Sequence, residues 1–239
     1  MDPFYYIGDP FYSDTAFYDV NIKLPVEFVL GSTGNLTKVD VEGNLKNYHW
    51  KTQLVRDFAC AFSSDYLVNT VQSHGVNVTY LYLYEDSKYS YEAQRWADTI
   101  LEAYEDYYGE YPYEDLTVAE TFLAYGGMEY PQIVFIRADL SMPGIVIAHE
   151  VGHQWFYGII GDDEIDEPWL DEGFASYSEY IFSRVYYGET QALSQLARDR
   201  NTVNYYYMNG FRGKINQSTE DYEVTGEDEW AYGLLAYTK

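Results

Sequence analysis

His149-Glu150-Val151-Gly152-His153, followed after eighteen intervening residues by Glu172 in Trp169-Leu170-Asp171-Glu172-Gly173, decides how this chain is read. Residues i and i+4 of a helix share a face, so the two imidazoles point the same way and can hold one metal ion between them. The Glu between them reaches a water at that ion and is the natural general base, able to pass the proton on to a leaving amine. A carboxylate arriving from a later helix makes a His-His-Glu set of three and leaves the fourth tetrahedral position open. Open positions mark catalytic zinc, whereas structural zinc is closed by four protein ligands, usually including Cys. The chain has only four His, and two of them fall in this pattern. A plain structural helix with two core-facing His predicts no third carboxylate at a suitable distance, and Glu172 supplies one.

With 239 residues, 47% of them hydrophobic, the chain can build a sizeable core. No run of about 18 apolar residues occurs, so no transmembrane segment is expected. The start, Met1-Asp2-Pro3-Phe4, lacks a basic region followed by an apolar stretch, so no signal peptide is expected either. The expectation is a soluble chain whose compartment, cytoplasmic or exported in a longer parent, stays open. A net charge of −25 argues against nucleic acid and anionic membrane surfaces, which demand basic patches. Cys60 is the only cysteine, which excludes an internal disulfide and reads as an inert strand thiol.

Along the chain, residues 19–62 are strand-like: Val20-Asn21-Ile22-Lys23-Leu24 alternates, and Pro25 and Gly31-Ser32-Thr33-Gly34 supply turns. Residues 77–84 alternate again. From 91 to 108, Ala93, Trp96, Ala97, Ile100, Leu101, Tyr104 and Tyr108 recur at three-to-four spacing, which predicts an amphipathic helix closed by Gly109. Strands are expected at 116–123 and 132–136, flanking the turn-prone Gly126-Gly127. The motif helix is expected over 145–157 and a second over 171–187, with Glu172 in its first turn. The remainder reads as mostly helical with a polar loop over 201–229. Strands first and helices later predict an α+β fold, a β-rich front passing into a mixed sheet with helices that carry the zinc motif.

Three blocks share one order and spacing: Gly126-Gly127-Met128-Glu129-Tyr130-Pro131, Ala148-His149-Glu150-Val151-Gly152-His153-Gln154-Trp155-Phe156, and Glu167-Pro168-Trp169-Leu170-Asp171-Glu172-Gly173-Phe174-Ala175. Together they resemble the zinc aminopeptidases of the gluzincin clan, the family of alanyl aminopeptidase and leukotriene A hydrolase. The resemblance covers nearly the whole chain. Gly8-Asp9-Pro10-Phe11 through Gly34 resembles the end of the family's N-terminal β-domain, and Val55-Arg56-Asp57-Phe58-Ala59 the passage into a thermolysin-like catalytic domain. It implies a division into 1–62, the last part of a β-domain, and 63–239, a catalytic domain truncated at its C-terminal end.

The resemblance also implies roles. One Zn2+ per chain would sit on His149, His153 and Glu172, with Glu150 as base. Glu129 matches the acid that binds the free α-amino group of a peptide substrate, by charge-assisted hydrogen bonds to a cationic terminus. Gly126, Gly127 and Met128 belong to the substrate-binding stretch, the glycines leaving backbone open for a peptide to add as a strand. Tyr237 matches the tyrosine that donates to the oxyanion, with Tyr232 as fallback. Glu179, two helical turns beyond Glu172, could accept the second ring N–H of a ligand His. Asp171 stands where many relatives have Asn and reads as support for the helix start. Trp155 and Trp169 are expected in the core around the metal. The family's second amine-binding acid lies in the mostly absent N-terminal domain, and the helical C-terminal domain that closes the cleft is missing. The implied activity is aminopeptidase; a thermolysin-like endopeptidase, or a zinc-binding fragment serving as an interaction or structural domain, are the alternatives.

Overall fold

The alternating segment at Val20 becomes β1 (Asp19–Pro25), the edge of a three-stranded antiparallel sheet whose centre is β4 (Leu45–Lys51) and whose other edge is β3 (Asn35–Glu42). Between them, β2 (Val29–Ser32) pairs antiparallel with β5 (Cys60–Ser63), placing Ser32 opposite Cys60. A computed structural model describes residues 7–9, 13–141, 143–225 and 232–237 of the chain. Its third sheet has five strands, β6 (Leu67–Ser73), β7 (Val76–Tyr82), β8 (Asp115–Thr121), β9 (Gly127–Met128) and β10 (Ile133–Arg137). Their spatial order is β6-β7-β8-β10-β9. The pairs β7/β8 and β8/β10 are parallel, while β9 lies antiparallel at the edge with Met128 opposite Phe135. The result is α+β.

The apolar periodicity at 91–108 folds as α1 (Ala93–Tyr108), with Ala93, Trp96, Ala97, Ile100, Leu101 and Tyr104 all buried. Gly109 ends it with φ at 100° and its N–H on the Glu105 carbonyl. This face packs between the five-stranded sheet and two further helices, α2 (Pro143–Gly152) and α3 (Pro168–Tyr186). The Tyr104 ring has no exposure, and its hydroxyl lies 2.8 Å from the Ala148 carbonyl and 2.9 Å from that of Ser178. One buried side chain of α1 thus registers α2 against α3. Truncating a core side chain such as Leu101 to Ala costs about 2–5 kcal/mol, because the hole only partly closes.

Three boundaries differ from the expectation. The motif helix ends at Gly152 and not near 157: Gln154 and Trp155 bond three residues back, to Val151 and Gly152, and Tyr157 turns to φ 110°, where no helix continues. The second helix begins at Pro168, whose fixed φ suits a first turn, so Glu172 sits in the second turn and Asp171 does not start the helix. The polar stretch from Asn201 is helical as far as Met208, since α4 (Glu189–Met208) lies on the surface, buries only Ala192 and carries polar residues all along. The loop is shortened to 209–218 before α5 (Thr219–Thr225); residues 226–231 lie outside the described part. A π-helical turn, Gly233–Tyr237, packs on α3. No helix among the described residues is long and apolar enough to cross a membrane.

Glu120 of β8 is half-buried and accepts the Leu83 N–H at 2.7 Å. Burial, reinforced by Asp86 and Asp139, pushes its carboxyl up to about 7 from 4.5. The folded chain therefore holds a proton that the unfolded chain releases, and stability is lost as pH rises through that interval. Glu120→Gln should be more stable than the parent above pH 7, by on the order of 1 kcal/mol once solvent screening is allowed for. Denaturant titrations at acid and alkaline pH should show the gain vanish below the unfolded carboxyl's range.

Candidate metal centre

Helix α2 carries His149 in its last turn, His153 follows directly on its final residue Gly152, and α3 delivers Glu172 from the facing side. All three are buried, His153 to 1% exposure. The His149 Nε2 atom lies 3.2 Å from His153 Nε2 and 3.1 Å from Glu172 Oε2, and the remaining edge, His153 Nε2 to Glu172 Oε2, is 3.6 Å. A tetrahedral ion with zinc-length bonds of about 2.0–2.1 Å needs donor separations of about 3.3 Å. The triangle therefore fits one such ion.

The far sides of both imidazoles are engaged. His149 Nδ1 meets Glu179 Oε1 at 2.9 Å, and Gln195 Nε2 donates to the other Glu179 oxygen at 3.2 Å. His153 Nδ1 bonds the fully buried Asp171 carboxylate, so the contact of Asp171 is with this imidazole. These carboxylates favour protons on the Nδ1 atoms, so that on metal binding the Nε2 atoms, which face each other and the Glu172 oxygen, are the ones left to ligate.

Charge is dense here. Burial alone would lower the His149 pKa, but hydrogen bonds to Glu172 and Glu179 override it and bring it to about 10. For Glu172, burial raises the carboxyl and the bonds from His149 and His153 outweigh that, holding it below the usual range. Burial pushes Glu150 up to about 7 and Glu129 well above its ordinary value, Asp9 adding to the latter.

Glu150 lies beside the triangle, with donor atoms of Glu150, Glu129 and His153 all within 4.8 Å of one another. A Cβ on Gly127 would come within 2.3 Å of Glu150 Oε1, so only glycine leaves room for that carboxylate under β9. Gly126 accepts the Arg137 N–H and Met128 pairs with Phe135, which fixes the stretch as the sheet edge. Tyr237 stacks on the His149 ring at 5.8 Å and 11°, and its hydroxyl donates to Glu172 Oε1 at 2.5 Å. Tyr232 packs behind it, 5.8 Å ring to ring, with no hydrogen bond to the triangle. Trp155 is 1% exposed and its Nε1 donates to the Gly109 carbonyl, while Trp169 is only half-buried.

Two residues enter that the sequence reading did not single out. Gln154 accepts the Gln132 N–H at 2.7 Å and donates toward the carbonyls of Glu129 and Tyr130, tying the segment after β9 that bears Glu129 to the turn after α2 that bears His153. Asp9 brings a carboxylate oxygen within 4.8 Å of donors on Glu129 and Asp171. The front of this chain therefore does supply an acid beside Glu129. Burial and the charges of Glu172 and Asp171 push Asp9 well up.

Metal titration of the chain should find one tight site per molecule, lost in His153→Ala and weakened about 10- to 100-fold in Asp171→Ala, since the imidazole then loses its orienting partner. Because His149 keeps its proton to about pH 10 without metal, the ion must displace it. Apparent affinity should rise from pH 6 to 9, by up to about tenfold per unit for each proton displaced, as read by chelator competition.

A profile of the peptidase family M1 domain matches residues 91–239. Endoplasmic reticulum aminopeptidase 2 of Bos taurus is 29% identical over 208 residues, covering 74% of this chain and 21% of the relative. Leukotriene A-4 hydrolase of Xenopus laevis is 31% identical over 118 residues, 45% of this chain and 19% of the relative. Among solved structures, a mutant M1 zinc metallopeptidase from Deinococcus radiodurans superposes with a TM-score of 0.72 at 18% identity, covering 96% of this chain and 52% of that one. Another structure of that enzyme, bound to a Tyr-Ser-Ala substrate, gives 0.69 at 19% identity, covering 95% and 52%. The chain thus spans about a fifth of the length of these curated relatives and about half of the solved chains. With the profile covering more than half of its residues, the chain belongs to peptidase family M1.

Proposed function

We propose that the chain carries the active site of a zinc aminopeptidase, which removes the N-terminal residue of peptides. The observation that carries this reading is the 3.1–3.6 Å triangle of His149, His153 and Glu172 with a second, raised carboxyl, Glu150, beside it. Family membership and the named aminopeptidases among its relatives support it. Zinc at the triangle would make a bound water acidic near neutral pH and polarise the scissile carbonyl.

The chain's own side chains then divide the work. Glu150, with a carboxyl near 7, is poised to take the proton of the attacking water and return it to the leaving amine. Glu129 and Asp9 hold the substrate's ammonium, which neutralises two carboxylates that repel one another in its absence. The edge strand β9 offers backbone groups for the peptide to pair with, and that pairing runs the chain toward the metal. Tyr237 turns its hydroxyl from Glu172 to the developing oxyanion. Glu179 and Asp171 hold the two imidazoles in the ligating tautomer.

Glu150→Gln should keep its metal and lose activity on aminoacyl anilides by about 10²–10⁴-fold, because the geometry survives and the base does not. Tyr237→Phe should lower kcat by about 10²–10³-fold with little change in KM. An N-acetylated peptide should resist cleavage, and Asp9→Asn should raise KM for free peptides. Cleavage of the acetylated peptide as fast as the free one would identify an endopeptidase instead. Undiminished turnover in Glu150→Gln would overturn the mechanism.

A further inference from the structure

The two ligand-bearing helices are joined by residues 153–167, a connection without regular structure of its own. Its internal bonds form two separate turns: Gly158 N–H to the His153 carbonyl at 2.9 Å, Ile160 N–H to Trp155 at 2.7 Å and Tyr157 N–H to Ile160 at 3.1 Å in the first, and the N–H groups of Ile165, Asp166 and Glu167 on Asp163 in the second. Loops this long wander unless something outside them fixes their path. A metal triangle tolerates only a few tenths of an ångström of error in ligand placement. Something must therefore hold this connection.

Gln154 and Trp155 tie down its start, the Thr219 N–H meets the Ile165 carbonyl, and the middle is held from 100 or more residues upstream. The Arg56 guanidinium, 6% exposed, donates from Nη1 to Glu164 Oε1 at 2.9 Å and from Nη2 to the Asp162 carbonyl at 2.6 Å. It also lies over the Tyr157 ring, 5.6 Å from the centroid. A Cβ on Gly161 would come within 2.5 Å of Nη2, so the loop closes around the guanidinium only because that residue is glycine. Next to it, Asp57 accepts the Tyr157 hydroxyl. Tyr157 itself sits at φ 110°, a left-handed conformation that costs a bulky residue about 1–3 kcal/mol and persists only where the surroundings over-determine it. Arg56 on its ring and Asp57 on its hydroxyl are those surroundings. Arg56 is in turn anchored, its carbonyl accepting the Tyr18 hydroxyl at 2.9 Å while Val55 bridges to Ala16.

We infer that Arg56 and Asp57 are positioning residues for the metal centre, fixing the span between the His149/His153 pair and Glu172 by gripping the connection at Tyr157, Asp162 and Glu164. A buried ion pair such as Arg56–Glu164 adds little net stability over an apolar pair of the same volume, because desolvation cancels most of its attraction. What the guanidinium supplies instead is direction, two donors set at a fixed angle. The inference rests on the metal reading of the triangle and extends it to a part of the chain that touches neither metal nor substrate.

The test is metal affinity by chelator competition, together with the visible spectrum of the Co2+-loaded 239-residue chain, whose bands report ligand geometry. Arg56→Met and Asp57→Ala should each weaken metal binding about 10- to 100-fold and alter the Co2+ bands. Asp57→Asn, which can still accept the Tyr157 hydroxyl, should stay near the parent, and Arg56→Lys should recover only part of the loss. Should Arg56→Met fail to fold, the paired change Arg56→Met with Glu164→Leu restores apolar packing without the fork and should show the same weakened affinity. Folded variants with affinity within twofold of the parent and unchanged bands would overturn the inference while leaving the metal site intact. A parent chain that takes up no metal at all would overturn the metal reading as well, so the two failures are distinct.

Discussion

Three potential metal-donor atoms are held within 3.6 Å of one another, and much of this molecule is arranged to hold them there. Behind each imidazole stands a carboxylate, Glu179 for His149 and Asp171 for His153, so neither ring can rotate its Nε2 away. Behind the helices stands the buried face of α1, where a single tyrosine, Tyr104, touches the backbone of both. The five-stranded sheet supports α1 and α2 and, at its far edge, presents β9 to the same place. Fold and site are thus one object: the layers exist to bring two helix faces to a fixed separation.

The cost of that arrangement is electrostatic. Glu150, Glu129, Asp171 and Asp9 all have carboxyls raised by burial, and only the protonated imidazoles offset them in the bare protein. Such a cluster favours cations, which is what the proposed zinc at the triangle and substrate ammonium beside it would supply. Strongly shifted groups gathered around one point are characteristic of functional sites.

Much of this was legible in the residues. The periodicity of α1, the i, i+4 placement of His149 and His153 and the alternation of β1 and β7 are local patterns, each set by backbone geometry over a few residues. Glu172 and Glu179 were legible for the same reason, as points on one helical face. The missing parts were those whose cause lies far away in sequence. The early stop of α2 leads into a turn at Tyr157, whose hydroxyl is accepted by Asp57 a hundred residues upstream. Gln154 reads as one more polar helix residue until the strand it clamps is in view. Asp9 has meaning only once its neighbours Glu129 and Asp171 are brought together by folding. The last turns of α4, from Asn201 to Met208, were obscured by composition, since a helix resting on the outside resembles a loop when judged by polarity alone.

β9 is only two residues long, and it lies at the rim of its sheet. An open rim of ordinary length would template any extended chain, including the rim of another molecule, which is how sheets come to aggregate. Two residues give too few backbone bonds to retain a stranger. On the proposed reading a visitor stays only if its leading end also satisfies the acids beyond, so the brevity of this strand would double as a filter against promiscuous self-association.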